Sequence, residues 1–227
     1  MGWKLSLVLK DLAPSKLLDT YQEERIPVIA EMLNKTTELH KKAVSSGGGE
    51  VKRGRDMHQL GVNYRGSSIL HTDFGADDSV TEYPGYNIES ETAAQAGDRA
   101  PEAPGLKPLV ANDAGNQHTS FFSIFSPSKH TVLIFSDSKG EIQAVLAVLH
   151  RLPKDITQSV VVLSKGEDAR PEGVHTLVVV DDDGHARRGY KIREGESVIV
   201  VVRPDGVVGA RVRDATGVGA YFQKIFA

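Results

Sequence analysis

The sequence predicts an α/β fold, and three observations carry that reading. Runs of β-branched residues at Val178–Val180, Val198–Val202 and Val207–Val208 are cut by Asp183-Gly184 and Pro204-Asp205-Gly206, the pattern of strands joined by antiparallel hairpins at a sheet edge. Between Lys139 and Leu152, the residues Ile142, Val145, Leu146 and Leu149 share one helical face, as suits a helix packed on a sheet. On either side of that helix, Thr131–Phe135 and Ser159–Leu163 are short apolar runs of strand length.

Composition narrows the function classes. At 227 residues, 40% hydrophobic and 25% charged, the chain is long enough for a sizeable core in one or two domains. Its 27 basic and 30 acidic side chains leave a net charge of -3, which gives no electrostatic case for nucleic acid or an anionic membrane as partner. Cysteine is absent, and with it disulfides, thiolate metal sites and thiol catalysis. No apolar run approaches the roughly 18 residues of a membrane span, and Met1-Gly-Trp-Lys4 leads into no signal core, so a cytosolic location is expected. The eight histidines show no metal-binding spacing, and Asn34-Lys35-Thr36 without a secretory signal is read as chance.

In chain order, Leu5, Val8, Leu9 and Leu12 recur at helical spacing before Pro14. Ser15 is placed to cap a longer helix with apolar positions Leu18, Tyr21, Val28, Met32, Leu39 and Ala43, in which Pro27 predicts a kink or restart near Ile26. Residues 45–56, with Gly47-Gly48-Gly49 and the cations Lys52, Arg53 and Arg55, read as a flexible linker rather than a phosphate cradle. Ser67–His71 is a strand candidate, Tyr83-Pro84-Gly85-Tyr86 a turn, and a short strand is expected near Leu109 ahead of a loop at 112–117. Further strands are expected at Thr131–Phe135, Ser159–Leu163 and His175–Val180. The last helix, Ala215–Phe226, turns Val218, Tyr221, Phe222 and Ile225 inward.

Several phrases resemble FAD-dependent aromatic hydroxylases of the phenol 2-monooxygenase group. Trp3-Lys4-Leu5 through Pro14, followed by Leu17-Leu18-Asp19-Thr20-Tyr21-Gln22-Glu23-Glu24-Arg25-Ile26-Pro27, is similar to the helix pair that closes their flavin domain. Tyr64-Arg65-Gly66-Ser67 resembles their post-flavin segment, and Gly97-Asp98-Arg99-Ala100-Pro101 the start of their C-terminal thioredoxin-like domain. Asp181-Asp182-Asp183-Gly184, Tyr190 and Val202-Arg203-Pro204-Asp205-Gly206 resemble the end of that domain. The resemblance implies a thioredoxin-like α/β domain, a central mixed sheet with flanking helices, preceded by an N-terminal helical segment. It divides the chain into a helical segment at 1–44, a linker and irregular region at 45–96 and a thioredoxin-like domain at 97–227. It also makes Phe121–Phe125 a helix, and places Met1 just past the family's flavin motif, so no cofactor is expected.

A dinucleotide site needs a Gly-x-Gly-x-x-Gly turn at a helix N-terminus, and none opens a βα unit here. Redox-active thioredoxin-like domains carry a cysteine at the turn after the strand ending at Phe135, where this chain has Ser136-Asp137-Ser138; a helix cap is the expected role. Asp181–Gly184 and Arg203–Gly206 are read as hairpin turns. Chemistry, if present, is expected in the middle of the chain, where Tyr64, Arg65, His71, Asp73, Tyr83 and Tyr86 combine aromatic surface with titratable groups, the catalytic candidates being Tyr64, His71, Asp73 and Tyr86. The alternative is that the tyrosines cover a domain junction while His71 and Asp73 face water on an edge strand.

Two function classes follow. The first is a structural, dimerising or interaction module without flavin or thiol chemistry. The second is a cofactor-independent cyclase, isomerase or dehydratase acting on an aromatic or polyketide-like molecule. Expected partners are a second copy of the chain, an aromatic small molecule or a separate flavoprotein, with no nucleic acid and no membrane.

Overall fold

The strand β3 (His130–Phe135) is buried at all six positions, and the rest of the chain is layered on its two faces. The computed structural model describes residues 1–45, 61–75, 94–109, 118–167 and 176–226. Val132 and Ile134 of β3 enter one core, while Leu133 and Phe135 enter the other, as the two-residue period of a strand requires. Both faces are covered, which is why these strands read as continuous apolar runs rather than alternating ones.

Around β3 stand β4 (Thr157–Leu163) and β5 (Leu177–Val180) on one side, and β6 (Val198–Val202) and β7 (Val208–Val212) on the other. With the two-residue strands β1 (His71–Thr72) and β2 (Lys107–Pro108), they form one seven-stranded sheet in the order β1-β7-β6-β3-β4-β5-β2. The strands β3, β4 and β5 are parallel, whereas β6 is antiparallel to β3 and to β7. Helix α4 (Lys139–Leu149) crosses from β3 to β4, and α6 (Ala215–Phe226) follows the β6–β7 hairpin. A βαβ unit followed by an antiparallel hairpin and a helix, with the hairpin beside the first strand, is a thioredoxin-like arrangement.

The core on one face joins Ile142, Val145, Leu146 and Leu149 of α4 to Val218, Tyr221, Phe222 and Ile225 of α6. Trp3 and Leu7 of α1 (Gly2–Leu9) and Leu17 of a 3-10 turn (Ser15–Leu18) belong to the same core. On the other face, Phe121 of α3 (Phe121–Ile124) and Ala186 of α5 (His185–Gly189) pack with Phe135 and Tyr190. The N-terminal helices are therefore built into the domain core.

Several expectations are corrected. Asp181–Gly184 is no hairpin turn, because β5 and β6 are separated by β3 and β4. Instead the Asp181 carboxylate accepts from Ala186 N (3.2 Å) and Arg187 N (2.8 Å), starting α5 after Gly184 at φ +68°. The β6–β7 hairpin does turn at Arg203–Gly206, but it is not the sheet edge, since β1 pairs with β7. The strand expected at Ser67–His71 begins only at His71; Ser67 N and Leu70 N close two successive tight turns on Tyr64 O and Ser67 O. Helix α2 (Thr20–Ser45) starts one 3-10 turn after Ser15 and continues through Pro27 without a restart. Its fully buried positions are Thr20, Glu24 and Val28, while Tyr21 is exposed; on α1 the buried residues are Trp3, Lys4 and Leu7, with Leu5 and Leu9 exposed. The linker and the Tyr83–Tyr86 turn lie outside the described residues.

Candidate functional site

The side chains that turn inward from α1 and α2 include two charges, Lys4 and Glu24, which pair with each other, and Glu24 meets the β6–β7 turn. Arg203 N donates to Val207 O and Gly206 N to Arg203 O, with Gly206 at φ +76°, which closes the turn and directs Arg203 under the helices. The Arg203 guanidinium is fully buried. It donates to both Glu24 carboxylate oxygens (2.6 and 3.1 Å) and to both Asp205 oxygens (3.0 and 2.6 Å). Lys4 Nζ donates to Thr20 Oγ1 at 2.6 Å and pairs with Glu24 at 2.9 Å. Trp3 Nε1 donates to Asp205 Oδ2 at 2.8 Å, Ser67 Oγ donates to Glu24 Oε1 at 2.9 Å, and the guanidinium carbon sits 5.3 Å from the Trp3 ring centroid.

Two cations and two carboxylates thus balance, each oxygen engaged by donors. Burial works to raise the Glu24 and Asp205 carboxyls, yet the Arg203 guanidinium, aided by Lys4, holds both below their ordinary values. Burial and the neighbouring Arg203 push Lys4 down, against the pull of Glu24. This cluster fixes the N-terminal helices to the sheet. The sequence signal for it is a charge on a buried helical face: Lys4 between Trp3 and Leu7, and Glu24 between Thr20 and Val28.

The expected catalytic candidates fall in separate places. Tyr64 accepts from Arg25 through its hydroxyl (3.3 Å) and lays its ring 5.8 Å from the Arg203 guanidinium, at the margin of the cluster. Arg65 makes a two-point ion pair with Asp98 (2.8 and 3.0 Å), while Tyr64 N donates to Gly97 O. His71 Nε2 lies 3.5 Å from Asp73 Oδ1 at the end of β1, and Asp73 Oδ2 accepts from Arg213 N at 2.9 Å. Tyr83 and Tyr86 lie outside the described residues.

At the turn after β3, Ser138 caps α4 by accepting from Glu141 N. Ser136 Oγ donates to Glu141 Oε2 at 2.7 Å and accepts from Ser138 N and, at 3.3 Å, from Ser197 Oγ, so its hydroxyl is fully engaged. The Asp137 carboxylate accepts from Ser164 N and Oγ, tying the turn to the end of β4. Among the described residues no group of three or more His, Asp or Glu side chains is placed to hold a metal ion, and no helix is long and apolar enough to cross a membrane.

Among the clefts lined by described residues are two of similar size. One, of about 380 Å³, opens between the end of α4 and the start of β4, beside His150 and Gln158. The other, of about 420 Å³, lies beneath α1 against His130 and Pro204. Neither is walled by Tyr64, His71 or Asp73.

A flavin-dependent monooxygenase of Mycobacteroides abscessus is 31% identical over 196 residues, which is 85% of this chain and 34% of that protein. Homologues of this chain are flavin-dependent monooxygenases. Pentachlorophenol 4-monooxygenase of Sphingobium chlorophenolicum is 26% identical over 219 residues, 93% of this chain and 37% of that protein. The chain therefore spans about a third of the length of the curated relatives it matches, consistent with a C-terminal portion of such hydroxylases. No family model matches it. In fold, it resembles the flavin-dependent monooxygenase PieE, solved with FAD and substrate, with a TM-score of 0.64 at 19% identity over 98% of this chain and 41% of that one.

Proposed function

We propose that this chain acts as a structural and association module of a flavin-dependent aromatic hydroxylase, without flavin or thiol chemistry in its own residues. The observation that carries the reading is the cluster of buried Lys4, Glu24 and Arg203 with Asp205, which ties the first turns of α2 to the thioredoxin-like domain. On the outer side of that helix Ile26, Ile29, Leu33 and Val44 are 60%, 41%, 56% and 68% exposed. An apolar stripe on a helix anchored to the domain suits association, here with a second copy of the chain. The serines at the would-be thiol turn and the absence of a Gly-x-Gly-x-x-Gly turn agree with a non-redox role.

Light scattering on the purified chain tests this, with its absorbance spectrum recorded alongside. A colourless dimer that Ile26→Glu with Leu33→Glu converts to a monomer is the expected result. A monomer at all concentrations, or a yellow protein with NADPH-dependent turnover of a phenol, overturns it. Co-purification with a separate flavoprotein through the same face would replace self-association by hetero-association.

A second reading is favoured by the His71–Asp73 pair, an imidazole 3.5 Å from a carboxylate, residue types that can serve as general acid and base. Under it the chain is a cofactor-independent cyclase, isomerase or dehydratase on an aromatic or polyketide-like substrate. His71→Asn abolishing turnover, with the fold and mass unchanged, is its signature.

A further inference from the structure

At the β1–β7 edge of the sheet, two arginines share one aromatic ring. Arg211 in β7 and Arg213 just past its end are two residues apart, a spacing that sends strand side chains to the same face. Thr72 of β1 stands beside Arg211 in parallel register, and Phe74 follows two residues later. The Arg211 and Arg213 guanidinium carbons lie 5.0 and 4.7 Å from the Phe74 ring centroid.

Arg211 is the unusual member. It is 5% exposed, yet its one hydrogen bond among the described residues runs from Nη1 to Tyr190 O at 2.8 Å, and no carboxylate pairs with it. Its side-on edge, Nε with Nη2, is the edge with which Arg65 grips Asp98 and Arg203 grips Asp205. In Arg211 that edge is open to water, since the buried side-chain atoms that are both unpartnered and sealed are His130 Nε2, Arg187 Nε and the Tyr221 hydroxyl. The exposed Arg213 side chain makes one hydrogen bond, from Nε to Asp73 O at 3.5 Å. Neighbouring carboxylates are engaged elsewhere: Asp73 accepts from Arg213 N and faces His71, and Glu196 accepts from Arg193 N. Burial pushes the Arg211 pKa down against the pull of Glu196, but a guanidinium remains charged at physiological pH. Two positive charges thus meet at Phe74 with no paired carboxylate, although a buried charge calls for a counter-ion.

We propose that Arg211 and Arg213 form a binding site for a phosphate group, two of whose oxygens accept from Arg211 Nε and Nη2 while a third faces Arg213. Tyr190 O and the Phe74 ring hold the Arg211 fork in place before the anion arrives, so little side-chain freedom is lost on binding. A phosphate dianion answers both charges, whereas a single carboxylate answers one. Binding here is independent of the association proposed for the outer face of α2.

Titration of the full chain with inorganic phosphate, methyl phosphate and acetate at fixed ionic strength tests the proposal. The readouts are calorimetry, melting temperature and the Arg211 Nε–H resonance. Phosphate is expected to shift that resonance, to raise the melting temperature and to bind about tenfold more tightly than acetate. Methyl phosphate binding equally well assigns the site to phosphate monoesters, and its exclusion assigns the site to the free ion. Arg211→Met should lose the response to phosphate, and Arg213→Gln should weaken phosphate binding about threefold or more. Should Arg211→Met fail to fold, the Arg211 resonance of the parent and the Arg213→Gln titration decide the question. An Arg211 resonance unmoved by millimolar phosphate, acetate binding as tightly as phosphate, or an undiminished phosphate response in either variant overturns the proposal.

Discussion

Arg203 at the β6–β7 turn grips Glu24 of α2 with two hydrogen bonds, across 179 positions of sequence. The pair sits out of water together with Lys4, while Asp205 closes the cluster from the solvent side, and the charge balance makes that burial tolerable. Glu24→Gln keeps the shape and removes one negative charge, leaving Lys4 and Arg203 facing Asp205 alone. The expected loss is about 3–5 kcal/mol of unfolding free energy, the cost of breaking a buried pair from one side. Urea denaturation measures it, and the double variant Lys4→Met with Glu24→Gln should recover a substantial part, because the residual charge is then balanced.

A second consequence concerns the connection from β5 to α5. With Asp181 accepting from Ala186 N and Arg187 N while itself 5% exposed, its carboxylate is the N-terminal partner of α5. Asp181→Ala should cost about 2 kcal/mol by leaving buried N–H groups unmatched, whereas Asp181→Asn, which keeps an acceptor oxygen, should cost less than half of that. An Ala variant as stable as the parent would mean that water reaches these amides.

These residues also show how far the sequence could be read. The strands around β3 and the helix faces of α4 and α6 were legible because apolar spacing reports burial directly: Ile142, Val145, Leu146 and Leu149 are all buried, as are Val218, Tyr221, Phe222 and Ile225. The Asp181–Gly184 error arose because a turn motif constrains only local backbone, and hairpin pairing depends on which strands intervene in space. The Lys4–Glu24–Arg203–Asp205 cluster escaped because charge is ordinarily a signal of exposure, and long-range pairing leaves no spacing to count. Leu5 and Leu9 misled in the opposite direction, their apolar rhythm marking the side of α1 that faces outward.

Tyr221 and Gly209 make a third test. The Tyr221 hydroxyl is buried without a hydrogen-bond partner, and it lies 2.3 Å from where a side chain on Gly209 would begin. Tyr221→Phe removes the unmatched group while keeping the ring in the core, so it should be neutral or stabilising by up to about 1 kcal/mol. Gly209→Ala drives a methyl into that ring and should destabilise by about 1–3 kcal/mol or more. Paired thermal melts decide between them. A marked loss in Tyr221→Phe would show that the hydroxyl is satisfied in solution.

The acid sensitivity of the fold should centre on His130. Its pKa falls from an unfolded value near 6.5 to about 3 in the folded chain, because burial disfavours the imidazolium and Arg203 repels it, against the pull of Asp205. In that window the unfolded chain binds the proton and the folded chain does not. Stability is therefore full above about pH 6.5 and is lost progressively as pH falls toward 3, with a slope approaching about 1.4 kcal/mol per pH unit. Glu24 and Asp205, both held below their ordinary values by Arg203, add losses in the same direction, but only once pH drops through the carboxylate range. The interval from pH 7 to 5 thus isolates the imidazole. Unfolding free energies across it should fall for the parent and stay nearly flat for His130→Phe; parallel slopes in the two proteins would mean that His130 gains its proton without leaving the folded state.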